Sequence, residues 1–216
     1  MRRMFVLTVT LAVAAAAPAT AQLLAGMPAW NSPKGGTGVT ISGDFGMPSN
    51  DAGGGSAFGA RGSLGLGKFT VAVGYSGYKA DGATDRLSSY GAGAAFRLLG
   101  GALNPLNVNV VGGIGTTGNV PTGLGTIDVK TYYGGAGASV SLPVPGFSIE
   151  PYISVTNRWN AASGADTESD LGWTLGANVG LGLLGVHVAY DSQDLAGTTI
   201  STLGIGAHVS LNVPGL

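Results

Sequence analysis

Residues 173–181 read Trp-Thr-Leu-Gly-Ala-Asn-Val-Gly-Leu, apolar at every odd position and small or polar at every even one. Successive side chains of a β-strand point to opposite faces. The stretch is therefore a strand with one oily face, Trp173, Leu175, Ala177, Val179 and Leu181, and one face of Thr174, Asn178 and glycine. Upstream, Phe69, Val71, Val73 and Tyr75 alternate with Thr70 and Ser76, and Tyr90, Ala92, Ala94, Phe96 and Leu98 with Arg97. Downstream, Leu203, Ile205, Ala207, Val209, Leu211 and Val213 alternate with glycines and His208. The period recurs about ten times along the chain, which makes it all-β.

Alternation alone does not say which face meets solvent, because a soluble sandwich or lipocalin-like barrel would bury the apolar set. Three features decide. Short connections at 67–68, 143–146 and 183–185, with a longer one at 99–106, alternate with polar ones at 47–57, 79–87, 116–126, 158–171 and 191–199. Apolar-face aromatics collect at strand ends, Phe69, Phe96 and Phe147 beside short turns and Phe45, Phe58, Tyr75, Tyr90, Tyr132, Trp173 and Tyr190 beside the others. Charges, among them Asp81, Lys130, Arg158 and Asp191, fall in or next to the long loops. Short turns at one end, aromatic girdles and an uncharged band between them are what a bilayer demands of a barrel. Strands of about ten residues, rising roughly 3.3 Å each and tilted about 40°, match an apolar band of roughly 25 Å. The expectation is an up-and-down antiparallel transmembrane β-barrel of about ten strands, with eight as the alternative. Pro151 lacks an N–H at mid-strand, so a bulge or a local register shift is expected there.

Composition narrows the function. Only 10% of the 216 residues are charged, glycine numbers 40, and cysteine is absent, against roughly 25% charged and 7% glycine in ordinary domains. A disulfide scaffold, a thiolate metal site and a thiol catalyst are excluded. The formal charge of -1 provides no basic stripe for nucleic acid.

Residues 1–21 read as a signal peptide: basic Arg2 and Arg3, an apolar run from Met4 to Ala17, and Ala19-Thr20-Ala21 as the cleavage site. Residues 22–35, with Pro28, Trp30 and Pro33, are expected as a periplasmic tail, the alternative being that they tuck into the lumen. The barrel then occupies 36–216.

From about Gly36 to Val213 this pattern resembles the small bacterial outer-membrane β-barrels, from short structural barrels to narrow porins. The last strand, Gly206-Ala207-His208-Val209-Ser210-Leu211, is similar to that class's C-terminal assembly signal, and it departs by ending in Pro214-Gly215-Leu216 with no terminal aromatic. The resemblance implies a Gram-negative outer membrane, outer-membrane lipid as surroundings and the barrel assembly machinery as a partner in biogenesis.

On the inward parity stand Arg61, Arg97, Glu150, Tyr152, His187 and His208, the candidates for a lumen lining or constriction. A buried Arg–Glu pair fastening the interior is the plain expectation, and a charge filter the functional one. Inward glycines leave a narrow passage open, and the acidic loop Asp166, Glu168, Asp170 favours cations and is a weak cation-binding candidate. No catalytic triad, metal set or cofactor is expected. The leading expectation is a narrow, weakly cation-preferring channel or a structural membrane protein. The alternatives are a surface-exposed binding or adhesion barrel working through its long loops, and a soluble secreted lipocalin-like barrel. The transported or bound solute is not specified by the residues.

Overall fold

Each alternation forms a strand, and the strands pair antiparallel around a ring. The computed structural model describes residues 23–30, 32–101, 104–122, 125–162, 166–195 and 197–211, so the expected signal peptide lies outside the described residues. The strands are β1 (Gly38–Pro48), β2 (Ser56–Leu66), β3 (Phe69–Lys79), β4 (Leu87–Gly101), β5 (Asn104–Thr122), β6 (Gly125–Val140), β7 (Leu142–Val144), β8 (Phe147–Ala162), β9 (Glu168–Leu181), β10 (Leu184–Leu195) and β11 (Thr198–Leu211). β1 pairs with β11 and β6 with β8, which closes the sheet. β7 continues the line of β6 against β8, so the barrel has ten staves.

The apolar set lies on the outside. Ile41 and Val73 are each 63% exposed, whereas Ser76 and Thr174 on the other parity are 0% exposed. A soluble barrel would reverse these faces, since continuous apolar surface of this extent does not persist in water. The lipocalin-like alternative is set aside on that ground. Among the described residues no helix is long and apolar enough to cross a membrane. The outer aromatics meet across strands, Phe45 with Phe58 at 5.1 Å, Tyr75 with Tyr90 at 5.2 Å and Trp173 with Tyr190 at 5.5 Å between ring centroids. Such ring pairs add about 0.5–1.5 kcal/mol beyond the area they cover.

Two local expectations change. At Pro151 the register with β9 is intact, Pro151 opposite Ala177. On the other side the ladder is interrupted between Ser139–Tyr152 and Leu142–Ile149, two residues on each strand, so the missing N–H falls in a gap and no bulge forms. The register shifts occur elsewhere, near Arg97 to Gly101 and between Thr117 and Val120. Much of the expected loop at 116–126 is strand, as is 191–199 except around 196–197. Polar residues there extend the ladders beyond the apolar band, where backbone pairing does not require an oily face.

The largest correction concerns residues 22–35. Their described part lies inside the barrel, not outside as a periplasmic tail. Ala25 N–H donates to Ser89 Oγ at 3.1 Å, and Ser76 Oγ donates to the Ala25 carbonyl at 3.0 Å. Leu24, Ala25 and Met27 pack with Ala57 and Tyr78 in an apolar cluster near the long-loop end. Gly35, by contrast, lies near Thr70 and Gly67 at the short-turn end. The segment thus runs the length of the lumen. Its Leu24, Ala25 and Met27 bring apolar side chains to an inward face that is largely small or polar, and a core forms where they meet Ala57 and Tyr78. A second cluster, Ala52, Leu195 and Ile200, forms without the segment.

Candidate functional site

Closure of the barrel sets Asp44, Gly206, His187, Asn178 and Glu150 in one register row across β1, β11, β10, β9 and β8. Gly206 has no side chain, and a Cβ there would collide with His187 Nε2 and Asp44 Oδ1. The gap lets Asp44 Oδ1 accept from His187 Nε2 at 2.6 Å across the intervening strand. Arg61 on β2 donates to the same carboxylate through Nε at 2.6 Å and Nη2 at 3.2 Å. The second nitrogen of His187 meets Nδ1 of His208 at 3.1 Å. The carboxylate of Asp44 only accepts, which makes Nε2 of His187 the donor there and turns Nδ1 to His208, where the tautomers decide which ring donates.

This cluster is also where the N-terminal segment docks. Trp30 stands edge-on to His187 with ring centroids 4.5 Å apart, and the Arg61 guanidinium carbon lies 5.0 Å from the centre of the Trp30 ring. Cation–π contacts of this kind contribute about 0.5–2 kcal/mol, more as water is excluded.

Glu150 is the second anchor. Its carboxylate accepts from Ser32 Oγ at 2.9 Å, Lys34 N–H at 3.1 Å, Ser139 Oγ at 2.7 Å and Asn178 Nδ2 at 3.0 Å. Arg97 completes the hold, its Nη1 donating to the Lys34 carbonyl at 2.6 Å. Hydrogen bonds to a charged group contribute about 1.5–3 kcal/mol. Replacing Glu150 by Ala is therefore expected to speed amide exchange at Lys34 by about ten- to a hundredfold in NMR. The Ala29 amide, held by Asp191 at 3.2 Å, serves as the internal reference.

A third cluster sits towards the long-loop end. Arg158 donates to both oxygens of Asp191, from Nη1 at 2.8 Å and Nη2 at 2.7 Å, and through Nη1 to Gln193 Oε1 at 2.7 Å. Thr174 Oγ1 donates to Asp191 Oδ2 at 2.6 Å. Both charged side chains are buried.

Of the residues singled out by parity, Arg61, His187 and His208 come together, and Glu150 and Arg97 both grip the segment. Tyr152 is buried, its ring against Gly176. The expected Arg–Glu pair does not form: Arg61 is spent on Asp44, and Glu150 is satisfied by neutral donors. Asp44, Arg158 and Asp191 were missed as lumen residues, although each continues an inward alternation, Thr40-Ser42-Asp44, Ser154-Thr156-Arg158 and His187-Ala189-Asp191. The charges at 158 and 191 read as loop residues because polar flanks there resemble turns. Asp166 is exposed in the β8–β9 connection, while Glu168 and Asp170 open β9. Among the described residues no group of three or more His, Cys, Asp or Glu is placed to hold a metal ion. The Asp44–His187–His208 chain links one carboxylate to two imidazoles.

No family model matches the sequence, and no curated protein does. Solved structures do resemble the fold. The β domain of the Bordetella autotransporter BrkA aligns with a TM-score of 0.52 at 12% identity, over 82% of this chain and 100% of that one. The N-terminal β-barrel domain of Pseudomonas aeruginosa OprF aligns at 0.41 and 10% identity, over 82% and 100%. Neisserial surface protein A aligns at 0.34 and 18% identity, over 80% and 96%. The chain has the closed, up-and-down fold of the small outer-membrane β-barrels.

Proposed function

We propose that the protein is an integral outer-membrane barrel, held shut by its own N-terminal segment, which serves as a structural element of the membrane and not as a standing pore. The observation that carries this reading is the passage of residues 23–30 and 32–37 through the lumen, tied to the wall by Ser89, Asp191 and Glu150. The exposed apolar band and the girdled strand ends support the membrane location. Short turns then face the periplasm. Export by a signal peptide at 1–21 and insertion by the barrel assembly machinery belong to the same reading.

An open, cation-preferring channel is less favoured, because the passage expected from inward glycines is taken up by the segment. Adhesion through long loops also loses ground where ladders replace loops at 116–126 and 191–199. The test is conductance in planar bilayers. The mature chain is expected to insert without current steps, and a chain lacking residues 22–35 to give steps. Equal conductance from both would overturn the closed-barrel reading.

A further inference from the structure

The N-terminal segment leaves part of the lumen empty. A cavity of about 450 Å³ remains, reaching Gly182 and Leu183 at the short-turn mouth. That volume lies within the roughly 300–1,000 Å³ of small-molecule sites. Wall and segment build it together, Arg61, Ser63, Thr70 and Ser148 from strands and Trp30 and Lys34 from the segment.

What such a pocket would hold follows from which polar groups are already spent. Glu150 accepts four kinds of donor, and Asp44 is taken by Arg61 and His187. No carboxylate at the cavity is left for a cation. Donors, in contrast, remain. Lys34 uses only its backbone groups, and its exposed ammonium bonds nothing among the described residues. Arg61 keeps Nη1 unused after its two bonds to Asp44. The indole N–H of Trp30 is buried without a partner. Among the described residues the hydroxyls of Ser63, Thr70 and Ser148, which line the cavity, make no side-chain bond either, and they donate as readily as they accept. The unpaired acceptor, Asn109 Oδ1, is buried beside Gly137 and Pro33. Lining the cavity, the basic side chains of Lys34 and Arg61 face one carboxylate, Glu150, which is sealed in hydrogen bonds.

We infer that this cavity is a binding site for a small anion, one presenting carboxylate or phosphate oxygens and entering from the short-turn mouth. Its oxygens take the Lys34 ammonium and the free Arg61 amino group as charge-assisted donors, and the loose hydroxyls complete the shell. The site rests on the closed-barrel reading, since Trp30 and Lys34 belong to the segment. The acidic residues at the opposite end do not reach it, so the cation preference expected from the rim does not extend to this pocket.

Calorimetry on the mature chain in uncharged detergent tests the inference, with inorganic phosphate and gluconate as probes and sorbitol as the neutral counterpart of gluconate. Saturable binding of one or both anions is expected, and none of sorbitol. Which anion binds tells phosphate from carboxylate recognition. Lys34→Gln is expected to weaken binding about tenfold, the loss of one charge-assisted hydrogen bond. Lys68→Gln, on a turn outside the cavity, is expected to leave it unchanged. The Lys34 variant keeps the backbone bonds to Glu150 and Arg97, so its fold is preserved. Absence of saturable binding, equal binding of sorbitol, or full affinity in Lys34→Gln would each overturn the site. Failure with bilayers still silent sinks the pocket alone, whereas a conducting wild-type chain sinks the closed barrel with it.

Discussion

Replacing Arg158 by Met is expected to cost the barrel about 3 to 5 kcal/mol of unfolding free energy, the largest effect of any single lumen side chain. Asp191, 0% exposed, would keep its charge in the interior with, among the described residues, only Thr174 and the Ala29 amide as donors. Arg158 reaches it from β8 over Gly172, whose Cβ would press on the guanidinium at 2.7 Å. β9 therefore offers no other cation to take its place. Gln193 Oε1 and Thr156 Oγ1 lose their partner as well. The desolvation of an unpaired carboxylate, and not the Coulomb energy of the pair, sets the magnitude. Reversible urea unfolding in lipid vesicles measures it. Adding Asp191→Asn to the Arg158 variant is expected to restore a large part of the loss, because the buried charge is then gone. Additive losses in the double variant would show that the pair is not what the interior depends on.

The second large effect is a gain of conductance from two methine-bearing side chains. Gly46 on β1 and Gly115 on β5 face the lumen, and a Cβ on either would run into the segment's backbone, the carbonyl of Gly26 at one and of Leu23 at the other. Both wall positions lie in extended strand without a positive φ, so valine suits their backbone. The collision is with the segment and not with the ladder. Overpacking costs about 1 to 3 kcal/mol per site, comparable to the hydrogen bonds that hold residues 25 and 29. The Gly46→Val, Gly115→Val double variant is expected to fold, to migrate differently on electrophoresis before and after boiling as a closed barrel does, and to pass current where the wild type is expected to be silent. Gly43→Val adds the same atoms to the outer face, where nothing lies within 4 Å of the Cβ, and is expected to stay silent. A double variant that folds and remains silent would mean that the segment is not what closes the lumen.

The parity of nearly every strand was legible because period-2 alternation is a local property. Trp173 and Leu175 face outward whatever the rest of the chain does, once the strand forms. The same parity placed Arg61, Glu150, Tyr152, His187 and His208 inside, and would have placed Asp44, Arg158 and Asp191 there had the polar flanks not read as loops. Those flanks are strand because ladders extend above the lipid band, where the oily alternation that marks a membrane strand is no longer required.

Partnership was not legible. Asp44 and His187 are 143 residues apart and meet only because β1 closes on β11 with a glycine between them. Nor was the place of residues 22–35, since Pro28 and Pro33 deny the segment a regular period and its seats, Gly46, Gly115 and Gly204, are scattered over three strands. The sequence by itself determined the all-β class, the oily outer face and the inward residue set, since these follow from alternation and from the cost of charge in lipid. Only the tertiary structure decided which inward charges pair, and that the chain's own N-terminal segment enters the lumen. Both depend on ring closure, which brings distant inward residues within a few ångströms and leaves the segment's apolar side chains one unoccupied interior to enter.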